Sequence, residues 1–466
     1  SSGVFATIRG TLVSGGSPRT PVRVRLRTDV EGLPRRFLKP FLMRAVVLWL
    51  TAAAASLLRS RGVGSGDGTR ASAPYRQRLE NFQNTQYFGD FKIGPHSMKA
   101  IFDTGSFEVL VLSSRCKHCV NKPYDYATSS TYQKNGTLVK HVFGSGPVLS
   151  QKAFDDVEIG QFHVKQQVFW EIIEHRIPVL DYARFSAIVG IGPGHAPTNN
   201  DSTLLMSINV NTIAICLEKH SGAPGWLTWG DDTPKGNFAA VPVVGDLHWG
   251  VAMTKVGMLR QDGTRNPVPF VCEGGCAAIV DSGTSLIALP TSHLDAVLRA
   301  VGPIHHDCSN VESLPTLTFV LGDKVFELPP KAYIMRIQQM PMGSALLQKL
   351  AVPANMSFVE KSESCMPAFM RMDKASKHGP VWILGSPFLR HYYTQFDRSE
   401  REMRFAPAGP GCVPKPYPNK EPSSGALLAH LDSYVEAGED RLPPVVDLQS
   451  VMQPMWSMDA SASVEL

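Results

Sequence analysis

Two aspartates lie in almost the same setting at two places in this 466-residue chain. Ile101-Phe102-Asp103-Thr104-Gly105-Ser106 is echoed 178 positions later by Ile279-Val280-Asp281-Ser282-Gly283-Thr284. Each apolar pair reads as the end of a buried strand. The following hydroxyl residue and Gly turn the chain sharply, Gly permitting close backbone approach. Ser106 and Thr284 are placed to donate hydroxyl hydrogen bonds back to their carboxylates, which favours the ionised form. Two carboxylates brought together cannot both ionise cheaply, so the pair is expected to share one proton over an acidic range. The charged member then serves as general base toward a water held between them, and the protonated member donates to a carbonyl oxygen. The titration belongs to the pair, so neither role is assigned to Asp103 or Asp281 singly. One such Asp segment is also what an ordinary turn looks like. Two of them, each behind an apolar strand and each in its own half, imply one site built from two halves.

The surrounding chain must supply two matching scaffolds. Residues 80–245 read as many short strands separated by Gly, Pro and Asn turns, with Phe154-Asp155-Asp156-Val157-Glu158-Ile159-Gly160 alternating like a hairpin strand. Residues 246–408 repeat the style, from His248-Trp249-Gly250-Val251 to Met403-Arg404-Phe405-Ala406. A chain of this length holds more than one core. The duplication divides it into a lobe over 80–245 and a second over 246–410, both all-β. Thr291 to Val301 carries a short helical pattern behind the second Asp segment. Lys331 to Ser364 reads as a surface insertion near the cleft, of the kind that tunes specificity. Residues 411–466 form the C-terminal tail, which is rich in Pro, Ser, Ala and acids from 413 on and is expected to be disordered.

The flanking motifs resemble the pepsin-like aspartic proteases from about Glu80 to Pro407. Tyr87-Phe88-Gly89-Asp90-Phe91-Lys92-Ile93-Gly94 is similar to the family's entry hairpin. Ala187-Ile188-Val189-Gly190-Ile191-Gly192 and Trp382-Ile383-Leu384-Gly385 resemble the segments that pack beside the two Asp loops. Leu314-Pro315-Thr316-Leu317-Thr318-Phe319 and the run Phe388 to Asp397 are similar to later family stretches. The resemblance implies a two-lobed, all-β acid protease with its cleft between the lobes. It implies an endopeptidase with Asp103 and Asp281 catalytic and Thr104, Gly105, Ser106, Ser282, Gly283 and Thr284 supporting them. Protein or peptide substrates and pepstatin-type inhibitors are the implied partners, with no cofactor and no metal. The tail and the Arg-rich leader are also similar to protist enzymes of the plasmepsin type.

Two departures fall at the flap, the hairpin Phe143-Gly144-Ser145-Gly146-Pro147 that the resemblance places over substrate. The family usually has Tyr at the position of Phe143 and Trp at that of Leu110, whose polar groups bond each other. Here both polar partners are missing together, so neither leaves an unpaired buried group. Leu110 and Phe143 are expected in apolar pocket walls favouring hydrophobic side chains beside the cut. The alternative is a weak or inactive protein of the same fold that binds peptides without cutting them. The intact Asp pair and its hydroxyl supports favour activity. A half-size enzyme that must dimerise is the other rival, but both halves are present and a monomer is expected.

The net charge of +5 is misleading. Residues 1–42 hold eight Lys or Arg against two acids and residues 43–79 six Arg against Asp67, which leaves −6 on residues 80–466. The protease body is therefore mildly acidic, with no nucleic-acid stripe. Its 43% hydrophobic and 19% charged content fits a folded globular protein. Met43 to Ser56 has the basic start, apolar run and small-residue region of a secretory signal. The expectation is a start at Met43, residues 1–42 being an upstream extension; a signal-anchor with a basic cytoplasmic tail is the rival. No stable membrane span is expected after signal removal. Residues 57–79 read as a short leader, Arg59, Arg61, Arg70, Arg76 and Arg78 being able to do part of a prosegment's work. Eight cysteines suit an oxidising compartment, and hence the secretory pathway. The resemblance implies disulfides Cys116–Cys119, Cys272–Cys276 and Cys308–Cys365. Cys216, in the strand-like Ile213–Leu217, and Cys412, after the last strand, remain, and their pairing is left open. A C-x-x-C is also a zinc half-site or a redox pair. Asn135, Asn200 and Asn355 head glycosylation sequons.

Overall fold

A computed structural model describes residues 73–418, except 121–123, 182, 195–200, 260–267 and 338–363, together with residues 445–446. The first half contributes β1 (Tyr75–Phe82), β2 (Gln86–Ile93), β3 (His96–Asp103), β4 (Val109–Leu112), β5 (Gln133–Phe143), β6 (Gly146–Ile159), β7 (Phe162–His175), β8 (Ala187–Gly190), β9 (Thr212–Leu217), β10 (Gly225–Trp229) and β11 (Ala239–Pro242). β6 shows why these are strands. Val148, Ser150, Ala153, Val157 and Ile159 are buried while most residues between them are partly exposed, the period-two signature of a half-buried strand, broken once at Gln151–Lys152 where β5 shifts register against β6. β4 and β8 are buried on both faces and read as continuous apolar runs, Val-Leu-Val-Leu and Ala-Ile-Val-Gly.

The second half adds β12 (Gly250–Met258), β13 (Val268–Val271), β14 (Cys276–Val280), β15 (Ile287–Leu289), β16 (Leu317–Leu321), β17 (Lys324–Leu328), β18 (Ile334–Ile337), β19 (Ser364–Pro367), β20 (Phe369–Arg371), β21 (Ala375–Ser376), β22 (Gly379–Leu384), β23 (Tyr392–Asp397) and β24 (Glu402–Pro407). Helix α1 (Thr291–Val301) follows β15 and buries Leu294, Val297 and Val301 on one face. Helix α2 (Ser386–His391) links β22 to β23.

The two halves use one topological device. β3 runs parallel to β8, with Asp103 opposite Gly190, and β8 runs antiparallel to β4. In the second half β14 runs parallel to β22, with Val280 opposite Leu384, and β22 runs antiparallel to β15. Each aspartate thus leaves the end of a central strand. β11, β24, β23, β9, β10 and β1 form a continuous array joined through β1–β2 to the first lobe, and β23 pairs with β9 across the two halves. Arg390 of α2 reinforces this junction. Its buried guanidinium donates to the Tyr87 hydroxyl at 3.1 Å and to the Asn84 carbonyl.

Four disulfides are formed: Cys116–Cys119, Cys272–Cys276, Cys308–Cys365 and Cys216–Cys412. The last closes the open question from the sequence, tying β9 to the chain just beyond β24. The α1 helix falls where its pattern predicts it.

Three boundaries need correction. The leader expected over 57–79 overlaps β1, which begins at Tyr75 and pairs with β10 through Leu79. Gln77 and Leu79 are its buried residues, and Arg76 stacks over Trp226 at 4.0 Å; a strand this polar shows little apolar alternation. The insertion expected from Lys331 begins with a helical turn at Pro330–Tyr333 and the buried strand β18; the rest, 338–363, lies outside the described residues. The first part of the tail is structured: Ala408 bridges to Pro414, and the Tyr417 hydroxyl donates to the Val325 carbonyl at 2.6 Å. A further strand, β25 (Val445–Val446), pairs in parallel with Arg336 and Ile337 of β18. Residues 1–42, the signal segment 43–56, Asn200 and Asn355 lie outside the described residues. Asn135 is exposed on β5. Among the described residues no helix is long and apolar enough to cross a membrane.

The Cys216–Cys412 bridge spans 196 residues, so it restricts the unfolded chain strongly. Replacing both cysteines by Ser is expected to lower unfolding free energy by about 2–5 kcal/mol, read as a lower guanidinium midpoint. An unchanged midpoint contradicts this.

Candidate active site

Asp103 and Asp281 are each wholly buried, at the ends of β3 and just beyond β14. Each carboxylate accepts the backbone N–H two residues on, Gly105 to Asp103 Oδ1 at 2.8 Å and Gly283 to Asp281 Oδ1 at 2.7 Å. The two loops also grip one another. Thr104 N–H donates to Ser282 Oγ at 3.0 Å, and Ser282 N–H donates to Thr104 Oγ1 at 2.9 Å. The Thr104 hydroxyl donates to the Val280 carbonyl at 2.9 Å and the Ser282 hydroxyl to the Phe102 carbonyl at 2.6 Å. The glycines are required by this closeness. A Cβ on Gly105 would stand 2.8 Å from Asp281 Cγ, and one on Gly283 2.3 Å from Asp103 Oδ1. Each glycine therefore faces the carboxylate of the opposite loop.

The second hydroxyls behave differently. Thr284 Oγ1 donates to Asp281 Oδ2 at 2.5 Å, as expected. Ser106 Oγ, buried beside Asp103, makes no hydrogen bond of good geometry, and Asp103 Oδ2 likewise accepts none from the surrounding hydroxyls and amides, although Ser106 stays close enough to lower the carboxyl. The support is unequal: one carboxylate has well-formed hydrogen bonds at both oxygens, the other at one. Burial holds the Asp103 carboxyl well above the usual carboxylate range, the charge of Asp281 adds to this, and Ser106 and the Gly105 N–H oppose it. Burial also raises Asp281, against the lowering effects of Asp103, Thr284 and the two glycine amides. Such a pair retains a proton into weaker acid than isolated carboxylates do.

A profile of the eukaryotic aspartyl protease family matches residues 86–408. The chain belongs to that family. It is 30% identical to cathepsin D of Chionodraco hamatus over 363 residues, covering 72% of this chain and 85% of that one. Cathepsin D of Mus musculus is 30% identical over 373 residues (73% and 84%), and renin of Rattus norvegicus 30% over 396 residues (75% and 89%). The chain is accordingly an aspartic-type endopeptidase with the family's two-lobed β fold.

The segment expected as the flap is the β5–β6 hairpin, with Phe143 opposite Gly146 and Gly144–Ser145 at the turn. Arg176 N–H donates to the Pro147 carbonyl at 2.9 Å, tying its return strand to the end of β7. Phe143 is 6% exposed and packs with Leu110, Ile101, Val179, Phe185 and Ile188. Leu110 is 1% exposed, so it backs the apolar cluster rather than forming a wall that a substrate touches. Both small disulfides have a histidine near them, His175 beside Cys116–Cys119 and His293 beside Cys272–Cys276. The sulfurs are bonded to each other, which consumes the thiolates that a zinc site needs.

Two features escaped sequence reasoning. The first hydroxyl of each motif, Thr104 and Ser282, serves the opposite loop, which the pairing of Asp segments only hints at. His248, just before β12, is buried against the Phe107 ring at 5.1 Å beside the Gly105 backbone, and burial lowers its pKa to about 4. It carries no motif around it.

Thr104→Val and Ser282→Ala are each expected to cost about 1–3 kcal/mol because buried partners lose their bonds. In a double-mutant cycle the two effects should be coupled by more than about 0.5 kcal/mol; strict additivity contradicts the interlock. Asp103→Asn tests the electrostatics. A carboxyl whose folded pKa is raised contributes stability that is complete below the unfolded value, about 3.9, and lost as pH rises through the folded value. The Asn variant escapes that loss, so calorimetry at pH 7 should show it melting above wild type, with the gap closing toward about pH 4.

Proposed function

We propose that Asp103 and Asp281 form the catalytic dyad that hydrolyses internal peptide bonds. The observation that carries this reading is the pair of interlocked loops presenting two buried carboxyls to each other, one oxygen of Asp103 taking no hydrogen bond from the loops. One proton is shared between the carboxyls. The ionised member takes a proton from a water, which adds to the scissile carbonyl carbon, while the other member protonates the carbonyl oxygen. The resulting tetrahedral diol collapses as a proton passes to the leaving amine. No covalent intermediate with the protein forms. Thr284 and the two glycine amides hold the carboxyl planes in place.

The substrate lies extended beneath the Gly144–Ser145 turn and is held largely by backbone hydrogen bonds, as an added strand. The apolar cluster that reaches from Ile101, two residues before Asp103, to Phe143 supports a preference for hydrophobic side chains beside the cut. Four disulfides support passage through the secretory pathway. The active form is a monomer, since both half-sites lie in one chain, and pepstatin-type compounds occupy the cleft.

Peptide-library cleavage at acidic and neutral pH tests this. Wild type should cut at hydrophobic pairs in acid, be blocked by pepstatin, and lose at least about 10²-fold activity as Asp103→Asn. Equal cleavage by the variant overturns the dyad, and absence of wild-type cleavage at any pH overturns the enzyme.

A further inference from the structure

The indole that the family usually carries at position 110 has a counterpart elsewhere in this chain. β4 and β7 pair in parallel with Leu110 directly opposite Trp170. Paired residues of adjacent strands project to the same side of a sheet, so the two side chains share a face. Trp170 is 1% exposed and belongs to the same apolar cluster as Leu110 and Phe143. Its ring lies edge-on to His141 with centroids 5.0 Å apart, and His141 in turn stacks on Phe143 at 6.2 Å with planes 14° apart. His141 and Phe143 are two residues apart on β5 and therefore face the same way. An unbroken aromatic column thus runs from β7 to the last residue before the flap turn.

The strand beneath this column is anchored from its other face. Glu171, next to Trp170, is wholly buried and accepts from the Ser113 hydroxyl at 2.7 Å, the Tyr132 hydroxyl at 2.7 Å and Arg115 Nη1 at 3.0 Å. Trp170 therefore stands on a fixed base. His141 is the unusual element in the column. It is 4% exposed, and its Nε2 has no hydrogen-bond partner. Burial lowers its pKa to about 4, which keeps the ring neutral above that value. A buried polar nitrogen without a partner disfavours the fold, so an aliphatic side chain would fill this space more stably.

We propose that Trp170 and His141 are positioning residues for the flap. Acting through Phe143, they set the height of the Gly144–Ser145 turn above Asp103. Trp170 does so from the strand next to the one on which the family usually carries the indole. The inference rests on the protease reading for its consequence in catalysis but not for its structural content.

The test pairs a kinetic and a non-kinetic readout on the full chain. Trp170→Leu should reduce kcat/KM for long peptide substrates at least tenfold and speed amide hydrogen exchange across Phe143–Val148 at least tenfold. Adding Leu110→Trp to that variant returns an indole to the same register pair and should restore both to within about threefold of wild type. His141→Leu covers the case in which Trp170→Leu fails to fold. It should raise the melting temperature while lowering kcat/KM at least fivefold, a split that a purely structural residue does not give. Unchanged flap exchange in a folded Trp170→Leu, or no rescue by Leu110→Trp, overturns the proposal. So does a His141→Leu enzyme as active as wild type. A wild type that cuts nothing overturns the protease reading alone, since flap exchange still decides the positioning role.

Discussion

Two carboxyls buried together repel each other once both are charged, and everything else in this molecule is arranged around holding them there. Burial alone would drive both to the neutral form and apart. What prevents this is that each loop is locked to its opposite through Thr104 and Ser282, so that neither aspartate can withdraw without breaking bonds in both halves. The lock in turn demands that Asp103 and Asp281 leave their strands at matching points. That follows from the parallel pairs β3–β8 and β14–β22 and from the antiparallel neighbours β4 and β15. The joined β23–β9 pair and the buried Arg390 then keep the halves in register.

The match between halves is incomplete at the second hydroxyl of the motif. Thr284 donates a short, well-formed bond to its carboxylate, whereas Ser106 lies beside its own without one. Two residues of the same class at the same motif position thus give two environments. The fully bonded carboxylate is the one whose ionised form is better supported. The other leaves one oxygen without a well-formed hydrogen bond from the loops. A perfectly symmetric site would leave the two protonation arrangements equal in energy, and direction in the proton transfers would have to come entirely from the substrate.

Much of this was legible in the sequence because it is local. The Asp segments, the apolar runs of β4 and β8, the α1 helix and the alternation of β6 each announce themselves within a dozen residues. What stayed hidden depends on partners far along the chain. The polar strand β1 gains its meaning only from β10 and its buried Gln77, whose side-chain carbonyl accepts from the Trp229 indole at 3.0 Å. The ordering of Tyr417 and of β25 depends on β17 and β18. The cross-loop work of Thr104 and Ser282 is likewise a contact between residues 178 apart. No local pattern distinguishes a hydroxyl that serves its own aspartate from one that serves the other.

The flap shows the same limit from the opposite side. Read along the chain, Phe143 and Leu110 are two losses of polar groups. Read across the strands, Leu110 lies opposite Trp170, whose ring meets His141 and through it Phe143. Volume in a close-packed interior is conserved more strictly than the position that supplies it. The Trp170 ring fills the space beside Leu110 from the opposite register position. That constraint makes the apolar end of the β5–β6 hairpin a coherent structure, packed continuously from Trp170 to Phe143.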